Sequence, residues 1–170
     1  MSLTPPSVSH LPPPQLYAEL TNTITHLCQD EPDALANLAN TAALLYHSLA
    51  QVNWVGFYLF KNDELVVGPF QGKPACVHIA LGKGVCGTAA LLRQTIVVAN
   101  VHEFSGHIAC DSASQSEIVI PLVQDANLVG VLDIDSPILA RFTPVDATGL
   151  ERCMQTLLSH TRVSDLLPKR

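Results

Sequence analysis

Three of the five cysteines stand where a thiol can react. Cys76, Cys86 and Cys110 lie in segments rich in glycine or polar residues, whereas Cys28 and Cys153 fall inside helical apolar patterns and read as small buried hydrophobes. The odd total and the lack of any C-x-x-C pair argue against a disulfide framework, a zinc ribbon and a thioredoxin-type motif. Cys86 follows Gly82-Lys83-Gly84-Val85, a run that has neither the P-loop order nor the GxGxxG pattern, so nucleotide phosphate is not its ligand. The run reads as a tight strand-to-helix turn placing Cys86 near a helix N-terminus, where the dipole favours a thiolate. Cys110 belongs to His102-Glu103-Phe104-Ser105-Gly106-His107-Ile108-Ala109-Cys110-Asp111. Cysteine near histidine suggests a nucleophile with its proton partner, or a metal site. A metal would take His102, His107, Cys110 and Cys86, a spacing that matches no common zinc pattern, so no metal or cofactor is expected.

Acidic residues form the second constellation. Along Leu128 to Asp135, strict alternation puts Val129, Val131, Asp133 and Asp135 on one face and Leu128, Gly130, Leu132 and Ile134 on the other. Along Glu117 to Val123, Glu117, Val119, Pro121 and Val123 oppose Ile118, Ile120 and Leu122. Burying the two wholly apolar faces together brings Glu117 to the side of Asp133 and Asp135. A four-residue loop at Gln124-Asp125-Ala126-Asn127 has the wrong parity for that register, which requires an odd loop or a bulge. Two acids on one strand face, about 6.5 to 7 Å apart, repel each other unless a cation, an ammonium group or a proton lies between them. Trp54, Gly56, Tyr58 and Phe60 share one face of another alternating segment and offer an aromatic wall.

The elements that must position these groups follow from periodicity. Residues 1–14 hold five prolines and are expected to form a flexible arm, with a single domain over 15–170. Helices are expected over Gln15 to Gln29 and from a cap at Asp33 to Ala50, the second with a buried stripe of Leu35, Leu38, Ala42, Leu45 and Leu49. Strands follow at Asn53 to Phe60, Leu65 to Val67, Pro74 to Ala80 and Ile96 to Ala99, with a short helix over Val85 to Arg93. The 117–135 hairpin comes next. A last helix starts at Thr143, with Pro144 at its first position and Asp146 completing a capping box. That order implies an α+β fold, an antiparallel sheet with helices packed on it, and not a repeated βαβ sheet.

With 170 residues, 48% of them hydrophobic and 14% charged, the chain is one ordinary domain and too apolar to be disordered. A net charge of -6 without any Lys/Arg cluster argues against nucleic acid or an anionic membrane as partner. No apolar run reaches the ~20 residues of a membrane span, and no secretory signal is read at the N-terminus. A cytoplasmic protein is therefore expected.

The motifs NWVGFY, GPFQGKPAC, GKGVCGTAA, GHIACD, SEIV and GVLDIDSP, in this order, resemble the free methionine-(R)-sulfoxide reductase family, small enzymes of GAF-domain fold. The resemblance runs from about Ala34 to the end of the last helix. It implies that Cys110 is the nucleophile, Cys76 the resolving thiol and Cys86 a third redox-active or supporting cysteine, with the order of attack between Cys86 and Cys110 left open. It assigns Trp54 and Tyr58 to the substrate pocket and Glu117, Asp133 and Asp135 to the family's carboxylates, Glu117 or Asp135 being the proton donor and Asp133 a substrate ligand. It implies an intramolecular disulfide, reduction by thioredoxin or a similar dithiol, free methionine-(R)-sulfoxide as substrate, and it admits a homodimer. Asn100 departs from the pattern, where an aspartate is expected. The rival functions are a non-catalytic GAF ligand sensor and a thiol redox sensor.

Overall fold

Alternation along the central strand sorts the molecule into two apolar layers, one on each face of a six-stranded antiparallel sheet. The structure is a computed structural model and describes residues 11–106 and 111–168. Its elements in chain order are α1 (Pro13–Cys28), α2 (Ala34–Ser48), β1 (Trp54–Lys61), β2 (Glu64–Gly72), β3 (His78–Ala80), α3 (Gly84–Leu92), β4 (Ile96–Val98), β5 (Ser116–Gln124), β6 (Asn127–Ser136) and α4 (Pro144–His160), with 3-10 turns at Val101–Glu103 and Val163–Leu166. Sheet order is β3-β2-β1-β6-β5-β4. The expected α+β class and antiparallel sheet are observed.

Val55, Phe57 and Leu59 of β1 join Ile118, Ile120, Leu122, Leu132 and Ile134 in the larger core, which α1, α2 and α4 cover. Trp54 and Tyr58 point to the opposite face, into a smaller cluster closed by Val85, Cys86, Ala89 and Ala90 of α3. Both faces of β1 are therefore buried over Trp54 to Leu59. Non-polar burial of this extent is the main force holding the layers together.

The helix starts obey local chemistry. Asp33 caps α2 by accepting from the Ala36 amide at 3.0 Å. Thr143 and Asp146 form the expected capping box, with Pro144 in the first turn of α4. Helix α1 begins at Pro13, two residues before the expected start, because a first-turn proline forfeits no hydrogen bond. The arm expected over 1–14 is thus shortened at its end, and its first ten residues lie outside the described part. Leu35 leaves the expected stripe of α2 and is 52% exposed. Asn37 takes a buried position in that first turn instead, donating to the Glu31 carbonyl and the Thr161 hydroxyl.

The β5–β6 hairpin has the bulge that its faces demanded. Glu117 to Leu122 pair with Asp135 to Gly130, and the register then shifts so that Val123 pairs with Leu128 and Gln124 with Asn127. Val129 is the extra residue. The turn is two residues, not four: Asp125 and Ala126 both have positive φ, 53° and 64°, as a tight hairpin of matching twist needs. Past the bulge the faces exchange, so Leu128 joins the α3-side cluster and Val129 the larger core, contrary to strict alternation.

Candidate active site

Register brings the acids together. Glu117 on β5 pairs with Asp135 on β6, and Asp135 also faces Trp54 on β1. Asp133 pairs with Val119 on one flank and Gly56 on the other. All lie on the α3 side of the sheet, at the floor of a cleft of about 550 Å³ counted to its open mouth. Gly56 is needed there: a Cβ would fall 2.4 Å from the Trp54 ring and 2.4 Å from Phe70. Trp54 is thereby laid across its own strand, stacked on Phe70 at 5.2 Å and on Tyr58 at 5.8 Å between ring centres.

Cys86 enters from the first turn of α3. Its Sγ stands 3.9 Å from Glu117 Oε1, and Cys86, Glu117 and Asp133 are 4%, 5% and 6% exposed. Donor atoms of these three lie within 4.8 Å of one another, close enough for one cation, an ammonium included, to span them. One oxygen of Asp133, Oδ1, is buried without a hydrogen-bond partner. Burial, then repulsion from Asp135, pushes Glu117 well above the usual carboxylate range. Asp133 rises through burial and the Glu117 charge, and Asp135 through burial and the Asp133 charge. Desolvation and the charges of Asp133 and Glu117 likewise push the Cys86 thiol well up. Burial and the acids around Cys86 thus oppose the thiolate that its position near the start of α3 would favour.

Cys76 lies half-buried in the segment between β2 and β3 and is disulfide-bonded, whereas Cys28, Cys86 and Cys153 are free thiols. The Cys76 segment is tied to the aromatic wall at two points. Trp54 Nε1 donates to the Lys73 carbonyl at 3.0 Å, and the Tyr58 hydroxyl donates to the Cys76 carbonyl at 3.1 Å. Cys110 and His107 lie outside the described residues. His102 is exposed on its 3-10 turn, and among the described residues the potential ligands grouped with Cys86 are Glu117 and Asp133. Asn100 keeps a capping role despite its departure from the expected aspartate: its side-chain oxygen accepts from the His102 amide at 3.1 Å and its amide donates to Glu103 at 2.9 Å.

Sequence reasoning overlooked four residues at the mouth. Asp111 accepts from the Ala113 amide at 2.9 Å and pairs with Lys73 Nζ at 3.2 Å, while Asn53 Nδ2 reaches Asp111 at 3.4 Å and Ser114 at 3.1 Å. The Ala113 hydrogen bond and the Lys73 charge outweigh desolvation and hold Asp111 below the usual carboxylate range. For two of them the signal was positional: Asp111 directly follows Cys110, and Lys73 stands three residues before Cys76.

Known proteins show the same architecture. The GAF domain family model matches residues 33–157. The free methionine-R-sulfoxide reductase of Escherichia coli (strain K12) is 52% identical over 143 residues, covering 84% of this chain and 87% of that protein. A solved structure of fRMsr of Staphylococcus aureus in complex with substrate has a TM-score of 0.81 and 51% identity, over 85% of this chain and 94% of the other. The free methionine-R-sulfoxide reductase from Neisseria meningitidis, in complex with its substrate, has a TM-score of 0.84 and 45% identity, over 89% and 92%. The layered sheet, the acid-floored cleft and these likenesses converge: the chain belongs to the free methionine-R-sulfoxide reductases, a family built on the GAF domain.

Proposed function

We propose that this protein reduces free L-methionine-(R)-sulfoxide to L-methionine by thiol chemistry. The observation that carries the reading is the cluster of Glu117, Asp133 and Asp135 beneath the Trp54 ring, beside a segment whose Cys76 is in a disulfide. The substrate offers an ammonium group, a short thioether stem and a polar S=O bond. Asp133 with its neighbours suits the ammonium, and Trp54 with Tyr58 suits the stem and methyl group. Glu117 or Asp135, each pushed above the usual carboxylate range by burial and a neighbouring acid, donates a proton to the sulfoxide oxygen and makes sulfur electrophilic.

Cys110 is the attacking thiolate. It takes the oxygen as a sulfenic acid, and methionine leaves. Cys76 then displaces the sulfenic hydroxyl as water, leaving a disulfide for thioredoxin or a similar dithiol to reduce. Cys86, a free thiol pushed up by the acids around it, is the supporting cysteine and not the attacker. A site that encloses both ends of an amino acid excludes a residue within a peptide. We take residues 15–170 as one catalytic domain. Among the described residues no helix is long and apolar enough to cross a membrane; a reducible disulfide in the cycle fits the cytoplasm, where dithiol reductants are maintained.

The test is turnover with dithiothreitol of the free (R) epimer, the (S) epimer and an N-acetylated (R) substrate, for wild type and Cys110→Ser. The expected result is methionine from the free (R) epimer alone, lost in the variant. Methionine from Cys110→Ser would move the attack to Cys86. No methionine from wild type would leave a thiol redox sensor.

A further inference from the structure

The two segments that supply the proposed disulfide are joined across the cleft mouth by a charge pair. Lys73 stands in the segment that leads to Cys76, and Asp111 directly follows Cys110. Lys73 Nζ lies 3.2 Å from Asp111 Oδ2 and 3.3 Å from Oδ1, so the ammonium sits on both carboxylate oxygens. Each partner is fixed at its base. The Lys73 carbonyl accepts the Trp54 indole N–H, and Asp111 is held by the Ala113 amide and by Asn53 at the start of β1. Asp111 is only 14% exposed at its side chain against 70% for Lys73, so the anchor is on the Asp111 side and the lysine reaches over to it.

We propose that Lys73 and Asp111 are positioning residues for disulfide closure, holding the Cys76 segment against the segment that bears Cys110. The inference rests on the reductase reading. Closure is the attack of the Cys76 thiolate sulfur on the Cys110 sulfenic sulfur. An S–S bond forms, the S–O bond breaks, and the hydroxide takes up a proton and leaves as water. One sulfur is reduced and the other oxidised, so no outside reductant enters this step. Cys76 and Cys110 are 34 residues apart in sequence (110 − 76), and proximity is what a closure step of this kind depends on. The tether is largely exposed, so its contribution is modest and weakened by salt.

The experiment is a single turnover of the reduced full chain with free L-methionine-(R)-sulfoxide, for wild type, Lys73→Ala, Lys73→Arg and Asp111→Asn. The methionine burst reports the first step. Dimedone capture of sulfenic acid and disulfide formation, both by quenched-flow mass spectrometry, report closure. The expected result is that closure slows relative to the burst by about two- to fivefold in Lys73→Ala and Asp111→Asn, with recovery in Lys73→Arg. Added salt should lower the wild-type ratio and leave that of Lys73→Ala unmoved. Closure in Lys73→Ala at the wild-type ratio, or burst and closure slowing together, overturns the proposal. If wild type gives no burst, the reductase reading fails alone; hydrogen peroxide then generates the sulfenic acid, and the rate of disulfide formation is read against the sulfenic acid that dimedone captures, with the same order of variants expected.

Discussion

Glu117 and Asp135 stand directly opposite each other on adjacent antiparallel strands, two carboxyl groups sharing the floor of one cleft. Side chains opposite one another in such a ladder are about 4.5–5.5 Å apart at Cβ, a distance at which two buried carboxylates cannot both carry charge cheaply. The pairing holds a proton in the cleft.

That proton is stored at a cost in stability. The folded pKa of each acid lies above the unfolded value of about 3.9 to 4.3, so above pH 4 the native state binds more protons than the unfolded chain. Stability should fall as pH rises from there through the folded pKa values. Glu117→Gln, which removes one charge and keeps the shape, should flatten this decline, raise Tm at pH 7.5 by about 2–4 °C for each kcal/mol of repulsion relieved, and lose the methionine burst. Thermal melts from pH 4 to 9 check it; an unchanged slope would count against a shared proton.

Cys76, Cys86 and Cys110 should separate by step. Cys110→Ser should yield no methionine. Cys76→Ser should yield a single equivalent per chain and then stop with a sulfenic acid that dimedone captures. Cys86→Ser should keep turning over at a reduced rate, because a thiol held up by Asp133 and Glu117 is no nucleophile. Quenched-flow product analysis with mass spectrometry of each chain gives the three answers.

Trp54 is the sole tryptophan and its wall depends on a missing side chain at Gly56. Gly56→Ala should tip the indole off its stack and raise KM for the free sulfoxide by roughly tenfold or more, with a smaller change in overall stability. Wild-type tryptophan emission should shift on adding L-methionine-(R)-sulfoxide, and the variant should lose that response.

Asp146 ties the helical layer together. It accepts from the Tyr17 hydroxyl at 2.6 Å, closes the Thr143 cap and pairs with Arg141 at 3.2 Å. Burial alone would raise its pKa, but the Tyr17 and Thr143 hydrogen bonds and the Arg141 charge outweigh it and hold the carboxyl below its usual range. A depressed folded pKa stabilises above the unfolded value of about 3.9 and ceases to do so as pH falls through the folded one. Asp146→Ala should therefore cost about 2–4 kcal/mol at neutral pH, on the order of 5–15 °C in Tm, and much less at pH 3.

What could be read from the sequence was whatever repeats at short range. The alternation Trp54, Gly56, Tyr58 and the Thr143–Asp146 box carry their own signals, and the parity of two apolar faces sufficed to place Glu117 on the side of Asp133 and Asp135. Cys153 and Cys28 are buried as their helical settings implied, with Cys153 pushed up to about 11 by desolvation. Other features depend on partners far away in the chain. Cys86 is pushed up by burial and by acids on β5 and β6, and Lys73 meets Asp111 through the closing of the sheet. The turn misled for a different reason: an alanine at φ 64° leaves no mark in composition, so Ala126 did not read as the second residue of a tight hairpin.

The one-residue offset at Val129 isolates the tip of the β5–β6 hairpin from its other end. Asp133 and Asp135 are clamped on two flanks, by β1 and by β5, whereas the residues beyond the offset pair in the ladder only with each other and are held from outside the sheet: Gln124 Nε2 donates to the Leu158 and Thr161 carbonyls, and Arg93 donates to the Ala126 carbonyl. The tip thus belongs mechanically to the helical layer, while the opposite end of the same two strands belongs to the sheet and its cleft.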